Sequence, residues 1–167
     1  MATFTMISFL CVAGLSCITL VSGTDVKLPF CQGTCPSGWY SNNGRCFKYV
    51  ADKTNWANAE KKCQDMGGNL PSVHSEAEHN FLKTLFKGMS EGEDAFWLGM
   101  SDCHQEGLWF WSDGSKVDYL KWNTGEPNNL GDEDCLHTSF GSQKGWNDIA
   151  CKNSYAFICS MVDSGLA

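Results

Sequence analysis

Hydrophobic and polar positions change rhythm along this chain. The aromatic-rich runs Trp39-Tyr40 and Cys46-Phe47-Lys48-Tyr49-Val50 flank Ser41-Asn42-Asn43-Gly44, and an Asn-Gly pair between two such runs predicts a β-hairpin. The period then becomes helical. Trp56, Ala59, Cys63 and Met66 recur at spacings of three and four, which predicts a helix over residues 55–66, capped by Thr54 and ended by Gly67-Gly68. A second helix opens at Ser75, whose partner Glu78 makes a capping box, with Phe81, Leu82, Leu85 and Phe86 as its apolar side. Strands follow: Phe96-Trp97-Leu98-Gly99-Met100, then Leu108-Trp109-Phe110-Trp111 running into a turn at Ser112-Asp113-Gly114, then Ala156-Phe157-Ile158-Cys159. Helices early and short strands late predict an α+β fold. Residues 121–135 follow neither rhythm, and a structureless stretch of that length tends to carry function.

Composition narrows the class. The chain has 167 residues, 43% of them hydrophobic and 19% charged, which fits one globular domain over residues 35–160. A formal net charge of −7 argues against a nucleic-acid surface, which needs clustered Lys and Arg, and suits cation binding instead.

The apolar run from Ile7 to Val21, followed by the small residues Ser22 and Gly23, reads as a secretory signal peptide over residues 1–23. No Lys or Arg precedes it, a lack that also argues against a membrane anchor. The expected product is a secreted, extracellular protein with a short leading segment (24–34), no membrane insertion and a C-terminal tail (161–167). Two of the ten cysteines, Cys11 and Cys17, fall in the leader. The rest, Cys31, Cys35, Cys46, Cys63, Cys103, Cys135, Cys151 and Cys159, read as a disulfide framework. Spacing alone does not choose the pairing.

Between Glu126 and Asp148 the chain gathers oxygen donors. It reads Glu126-Pro127-Asn128-Asn129-Leu130-Gly131-Asp132-Glu133-Asp134-Cys135, and then Trp146-Asn147-Asp148-Ile149-Ala150-Cys151. Hard oxygen donors in this density suit Ca²⁺, which takes roughly 6–8 oxygen ligands. Glu126, Asn128, Glu133, Asn147 and Asp148 supply five or six once a backbone carbonyl is counted, and leave positions open on the ion. Two vicinal sugar hydroxyls suit those positions, because carboxylates accept their protons and carboxamides donate to their oxygens.

A Glu-Pro-Asn tripeptide, a following Glu and a Trp-Asn-Asp tripeptide, bracketed by cysteines, resemble the carbohydrate-recognition domain of the C-type lectins. Phe96-Trp97-Leu98-Gly99-Met100 resembles that family's core strand, and the likeness spans residues 35–159. It implies two helices, two small antiparallel sheets and a long calcium-binding loop region. It also implies a cis bond before Pro127, and selectivity for mannose-type sugars, with Gln-Pro-Asp the galactose counterpart. By position it implies the bridges Cys35–Cys46, Cys63–Cys159 and Cys135–Cys151. Cys31 and Cys103 fall outside that set and pair with each other or across two chains, the intrachain bond being favoured. An auxiliary calcium site is implied at Asp102, Glu106, Asn129 and Asp134, with Glu133 shared.

The leading expectation is therefore a secreted, calcium-dependent lectin for mannose-type glycans, acting in innate recognition of microbial surfaces and raising its avidity by clustering, for example as a homo-oligomer. Resemblance to small fish lectins brings two alternatives, an ice-binding protein of the type II antifreeze kind and a venom-type relative without sugar binding. An enzyme is disfavoured: glycoside hydrolysis wants two carboxylates across the bond, and here they are committed to the ion. His74 and His79, five apart, miss the helical metal-pair spacing and read as surface or capping residues. His137 is expected near the sugar, and Trp146 is expected to buttress the loop.

Overall fold

The computed structural model describes residues 35–90 and 95–163, and beyond them only the backbone of two short strands. Those are β1 (Ser16–Cys17) and β2 (Cys31–Gln32), antiparallel with Cys17 opposite Cys31. The signal-peptide reading otherwise lies outside the described residues. Among the described residues no helix is long and apolar enough to cross a membrane.

The chain divides into two compact units, Met1–Phe47 with Val162–Ala167, and Lys48–Met161. In the first, β3 (Tyr40–Asn42) pairs antiparallel with the start of β4 (Arg45–Thr54) around Asn43-Gly44. Both turn residues have positive φ, 48° and 75°, as the Asn-Gly pair predicts. Cys35–Cys46 closes this hairpin.

The second unit carries the helices. Helix α1 (Trp56–Asp65) begins one residue later than the apolar spacing suggests: the cap is Asn55, whose side chain accepts from Asn58 N, and not Thr54. Thr54 is instead the last residue of β4, and its carbonyl accepts from the buried Trp97 indole. Gly67, at φ 85°, ends the helix, with Gly67 N and Gly68 N returning to Gln64 O and Cys63 O. Gly68 lies against Ser160 O so closely that a Cβ there would collide with it. Helix α2 (Glu76–Met89) has Ser75 as its cap. Glu78 closes the box from one residue further out, accepting from His74 N at 2.6 Å.

Strands β5 (Phe96–Ser101), β6 (Phe110–Trp111), β7 (Cys135–Phe140), β8 (Gly145–Ile149) and β9 (Tyr155–Val162) complete the element order. In sheet order β9, β5, β7 and β8 are neighbours, with β6 pairing β5. The sheet is mixed, because β5 meets β9 in parallel at Trp97↔Phe157 while its other pairings are antiparallel. Two small antiparallel sheets are thereby merged at β5. Along one edge β5 pairs β7 at both ends, with a register shift between Trp97 and Ser101, while its other pairings pass from β9 at Trp97 to β6 at Met100 and Ser101. Every residue of β5 is buried, and Trp97, Leu98, Phe157 and Ile158 have no exposed surface. Cys63–Cys159 ties α1 to β9 across this core, and Cys135–Cys151 closes the base of the β7–β8 hairpin.

Candidate functional site

Hairpin β7–β8 and the loop before it build the site. The loop is long but fastened. Asn123 N donates to Trp146 O, Glu126 N to Asn123 O, and Gly145 N to Asn123 Oδ1. Trp146, fully buried, meets Trp111, Tyr119 and Trp122 edge-on. It therefore supports the loop from beneath, and its indole N–H donates to His79 Nδ1.

That bond corrects the reading of His79 as a surface or capping residue, since the side chain is 2% exposed. It lies on the same helix face as Leu82 and Phe86, three and seven positions on. Burial first, and the charge of Lys83 next, lower its pKa to about 4. His74, by contrast, keeps a partly exposed ring bonded to Asp118 and Ser72.

Glu126, Asn128, Glu133 and Asp148 come together. The Glu126–Pro127 bond is cis, and Asn128 Nδ2 donates to Glu126 Oε2 at 2.5 Å. Leu130 N is shared by Asn128 Oδ1 and Glu133 Oε2 at 2.8 and 3.2 Å. The wholly buried Asp148 carboxylate takes the backbone N–H groups of Asn128 and Asn129, the latter at 2.7 Å. Asn147 spends its amide N–H bonds on His137 Nε2 and Asp148 O, which leaves Oδ1 as the oxygen it can give a cation. His137 is buried and touches the site through Asn147, so it orients a donor and offers no exposed face to a sugar.

Asp102, Glu106, Asn129 and Asp134 form an adjoining group. Asn129 Nδ2 donates to Glu106 Oε2 at 2.6 Å, Asn129 Oδ1 accepts from Glu133 N, and Asp102 N donates to Asp134 O. Asp102 is 2% exposed; one carboxylate oxygen accepts from Gly107 N and the other has no partner. A buried carboxylate oxygen left unbonded is costly, and its position among acids marks where positive charge is missing. Asn129 and Asp132 adopt positive φ, 47° and 71°, a conformation that Asn and Asp tolerate better than most residues.

Electrostatics agree with that deficit. Burial, and then the neighbouring Asp148 carboxylate, hold Glu126 and Glu133 above the usual carboxylate range. Burial followed by Asp102 and Asp134 raises Glu106, and burial followed by Asp132 and Asp102 raises Asp134. Among the described residues none of these acids has a Lys or Arg partner. The donor chemistry fits a hard divalent cation, all of it oxygen from acids and amides. It depends on the amides as well as the acids: among the described residues, the one His/Cys/Asp/Glu trio with ligand atoms within 4.8 Å of each other is Cys35, Cys46 and Asp163. In that trio both sulfurs are spent in a disulfide.

Cys103 carries a free, exposed thiol, so the favoured intrachain Cys31–Cys103 bond is not formed. Cys103 Sγ lies instead 3.5 Å from Ser101 Oγ, in the turn after β5. The side chain of Cys31 lies outside the described residues.

Comparison with known proteins places this geometry. Residues 52–161 match the family model described as the Lectin C-type domain. The chain is 48% identical to "Lactose-binding lectin l-2" of Anguilla japonica, over 95% of this chain and 96% of that one. It is 40% identical to "Galactose-specific lectin nattectin" of Thalassophryne nattereri, over 76% and 80% of the two chains. Among solved structures, the herring type II antifreeze protein superposes with a TM-score of 0.71 at 34% identity, covering 77% of this chain and 98% of that one. With the family model matching well over half of its length and fish lectins as relatives, the chain belongs to the C-type lectins, a family that binds carbohydrate and does not catalyse.

Proposed function

We propose that this is a secreted lectin whose Glu126, Asn128, Glu133, Asn147 and Asp148 hold a calcium ion and select mannose-type glycans. The observation that carries the reading is the contact of Glu126 with Asn128 across Pro127, beside a buried Asp148 that no Lys or Arg among the described residues pairs with. When bound, calcium supplies coordination positions that two vicinal hydroxyls can fill. The Glu126 carboxylate accepts a proton from one hydroxyl and the Asn128 amide donates to the other, so the pair reads hydroxyl orientation. Asp148 keeps the Asn128 backbone in place, and His137 fixes the Asn147 amide. Asp102, Glu106, Asn129 and Asp134, with Glu133, form the auxiliary calcium site that orders the loop. Weak single sites gain avidity from clustered glycans or from a homo-oligomer, which suits innate recognition of microbial surfaces.

A second reading, galactose-type selectivity, is favoured by two fish relatives, one a lactose-binding and one a galactose-specific lectin. Immobilised mannose and immobilised lactose, each run in calcium and in excess chelator, test both readings. Calcium-dependent retention on mannose alone supports the first reading, and calcium-dependent retention on lactose alone supports the second. Retention that chelator leaves unchanged overturns the calcium site.

A further inference from the structure

Away from the acidic loop lies a pocket of about 480 Å³ whose lining has no carboxylate. Helix α2 contributes Lys83, Thr84 and Lys87 to its wall and Phe86 to its floor, and the far end of the β7–β8 hairpin contributes Ser139 and Lys144. Three of the chain's 12 basic residues meet here on a protein of net charge −7. Lys83 and Lys87 stand one turn apart on α2, where a like-charged pair costs about 0.2–0.5 kcal/mol with nothing between them. Toward the start of that helix both acids are already held, Glu76 by Lys121 and Tyr119 and Glu78 by the His74 N–H. The Thr84 hydroxyl donates to Asn80 O, so the Lys83 and Lys87 ammonium groups are the donors that α2 offers the pocket.

The hairpin backbone gives the other wall of the pocket its shape. Among the described residues five non-glycine positions adopt positive φ; three are Asn or Asp, and the other two are Ser139 at 63° and Lys144 at 55°. Ser139 sits at the register shift between Thr138 and Phe140, and Lys144 ends the turn that joins β7 to β8. Both line this pocket.

We propose that the groove between α2 and the β7–β8 turn is an anion site that takes the sulfate or phosphate esters of a polysaccharide. A lysine ammonium binds such oxyanions as a point charge with several donors, and a pocket of this volume falls in the range that encloses a small ligand. Lys144 lies four residues before Asp148 along the hairpin, a strand distance of about 13 Å. One branched glycan can therefore reach both the acidic loop and the basic groove, giving the avidity that two linked contacts bring.

The test is retention on sulfated dextran and on phosphorylated dextran at about 0.1 M ionic strength, where charges further apart than about 10 Å are screened. Excess chelator is present throughout, so the outcome does not depend on the calcium reading. The protein should be retained on at least one ester and not on neutral dextran. The double variant K83Q/K87Q should bind roughly fivefold to tenfold more weakly, the size expected for two partly screened charge contacts. The control K61Q/K116Q loses the same net charge elsewhere and should bind as the parent does. Preference for one ester over the other identifies which oxyanion the groove takes. No retention of the parent, equal retention on neutral dextran, or equal loss in both double variants overturns the proposal. Thermal unfolding of both variants at the parent's midpoint excludes loss of fold as the cause.

Discussion

Two buried carboxylates of the same unit are treated in opposite ways. Glu60 on α1 is 6% exposed, and its two oxygens accept from Gln64 Nε2, Asn69 Nδ2, Leu70 N and Ser112 Oγ. Every lone pair has a neutral donor, and the group locks helix, loop and strand together. Asp148 on β8 is more deeply buried yet receives only two backbone N–H groups, from Asn128 and Asn129. Its charge presses on Glu126, Glu133 and Glu106. A structural acid is saturated where it stands. Asp148, the acid proposed to bind, is left short of donors and stands among other carboxylates.

The largest effect should separate the two directly. Glu60→Ala strands the buried Leu70 N–H and the Ser112 hydroxyl, and should cost about 4 kcal/mol in denaturant unfolding while the folded fraction keeps its sugar affinity. A cost below about 1 kcal/mol would dissolve the contrast. Asp148→Asn should do the reverse, lowering calcium and sugar affinity by at least about a hundredfold, or about 2.7 kcal/mol, with little change in unfolding measured in chelator. Calcium itself, at a hundred times its Kd, should stabilise the parent and Glu60→Ala alike by about 2.7 kcal/mol. Asp148→Asn should show no such gain in calorimetry. Replacing Glu126 with Gln and Asn128 with Asp should shift relative affinity toward galactose by about tenfold, or 1.4 kcal/mol. An unchanged sugar profile in competition assays would place selectivity elsewhere.

The smallest effect is a pH dependence with a defined sign. Glu126 and Glu133 have raised pKa values, so the folded, calcium-free protein holds their protons more tightly than the unfolded chain. Their contribution is favourable below the ordinary carboxylate range and is lost as pH rises through the raised values. In chelator at pH 7 the variant E126Q/E133Q should therefore melt slightly above the parent, and the gap should close as pH falls toward about 4.5. His79 and His137 act the other way. Burial lowers both to about 4, so their contribution is present above the ordinary imidazole value and is lost as pH falls from there toward 4. Both proteins share the histidines, so the difference between them isolates the carboxylates.

Much of this contrast is visible in the chain itself, because local patterns carry it. Trp56, Ala59 and Cys63 mark the buried face of α1, Ser75 and Glu78 mark the start of α2, and the Glu-Pro-Asn and Trp-Asn-Asp tripeptides mark the oxygen donors. What escapes depends on partners distant in sequence. The saturation of Glu60 needs Ser112, and the burial of His79 needs Trp146. Even so, His79 could have been found from its spacing to Leu82 and Phe86, which continues the apolar face of α2. The parallel contact of β5 with β9 leaves no trace in either strand's alternation, because both are buried on two sides. The basic groove joins lysines that stand 57 residues apart, Lys87 and Lys144.

The Cys63–Cys159 bridge, spanning 96 residues, encloses the entire binding loop between its ends. A protease that cuts anywhere from Lys121 to Asp134 would open the loop and release nothing, since both products would stay on one covalent frame. A single cut there would then cost recognition at one site without shedding a fragment.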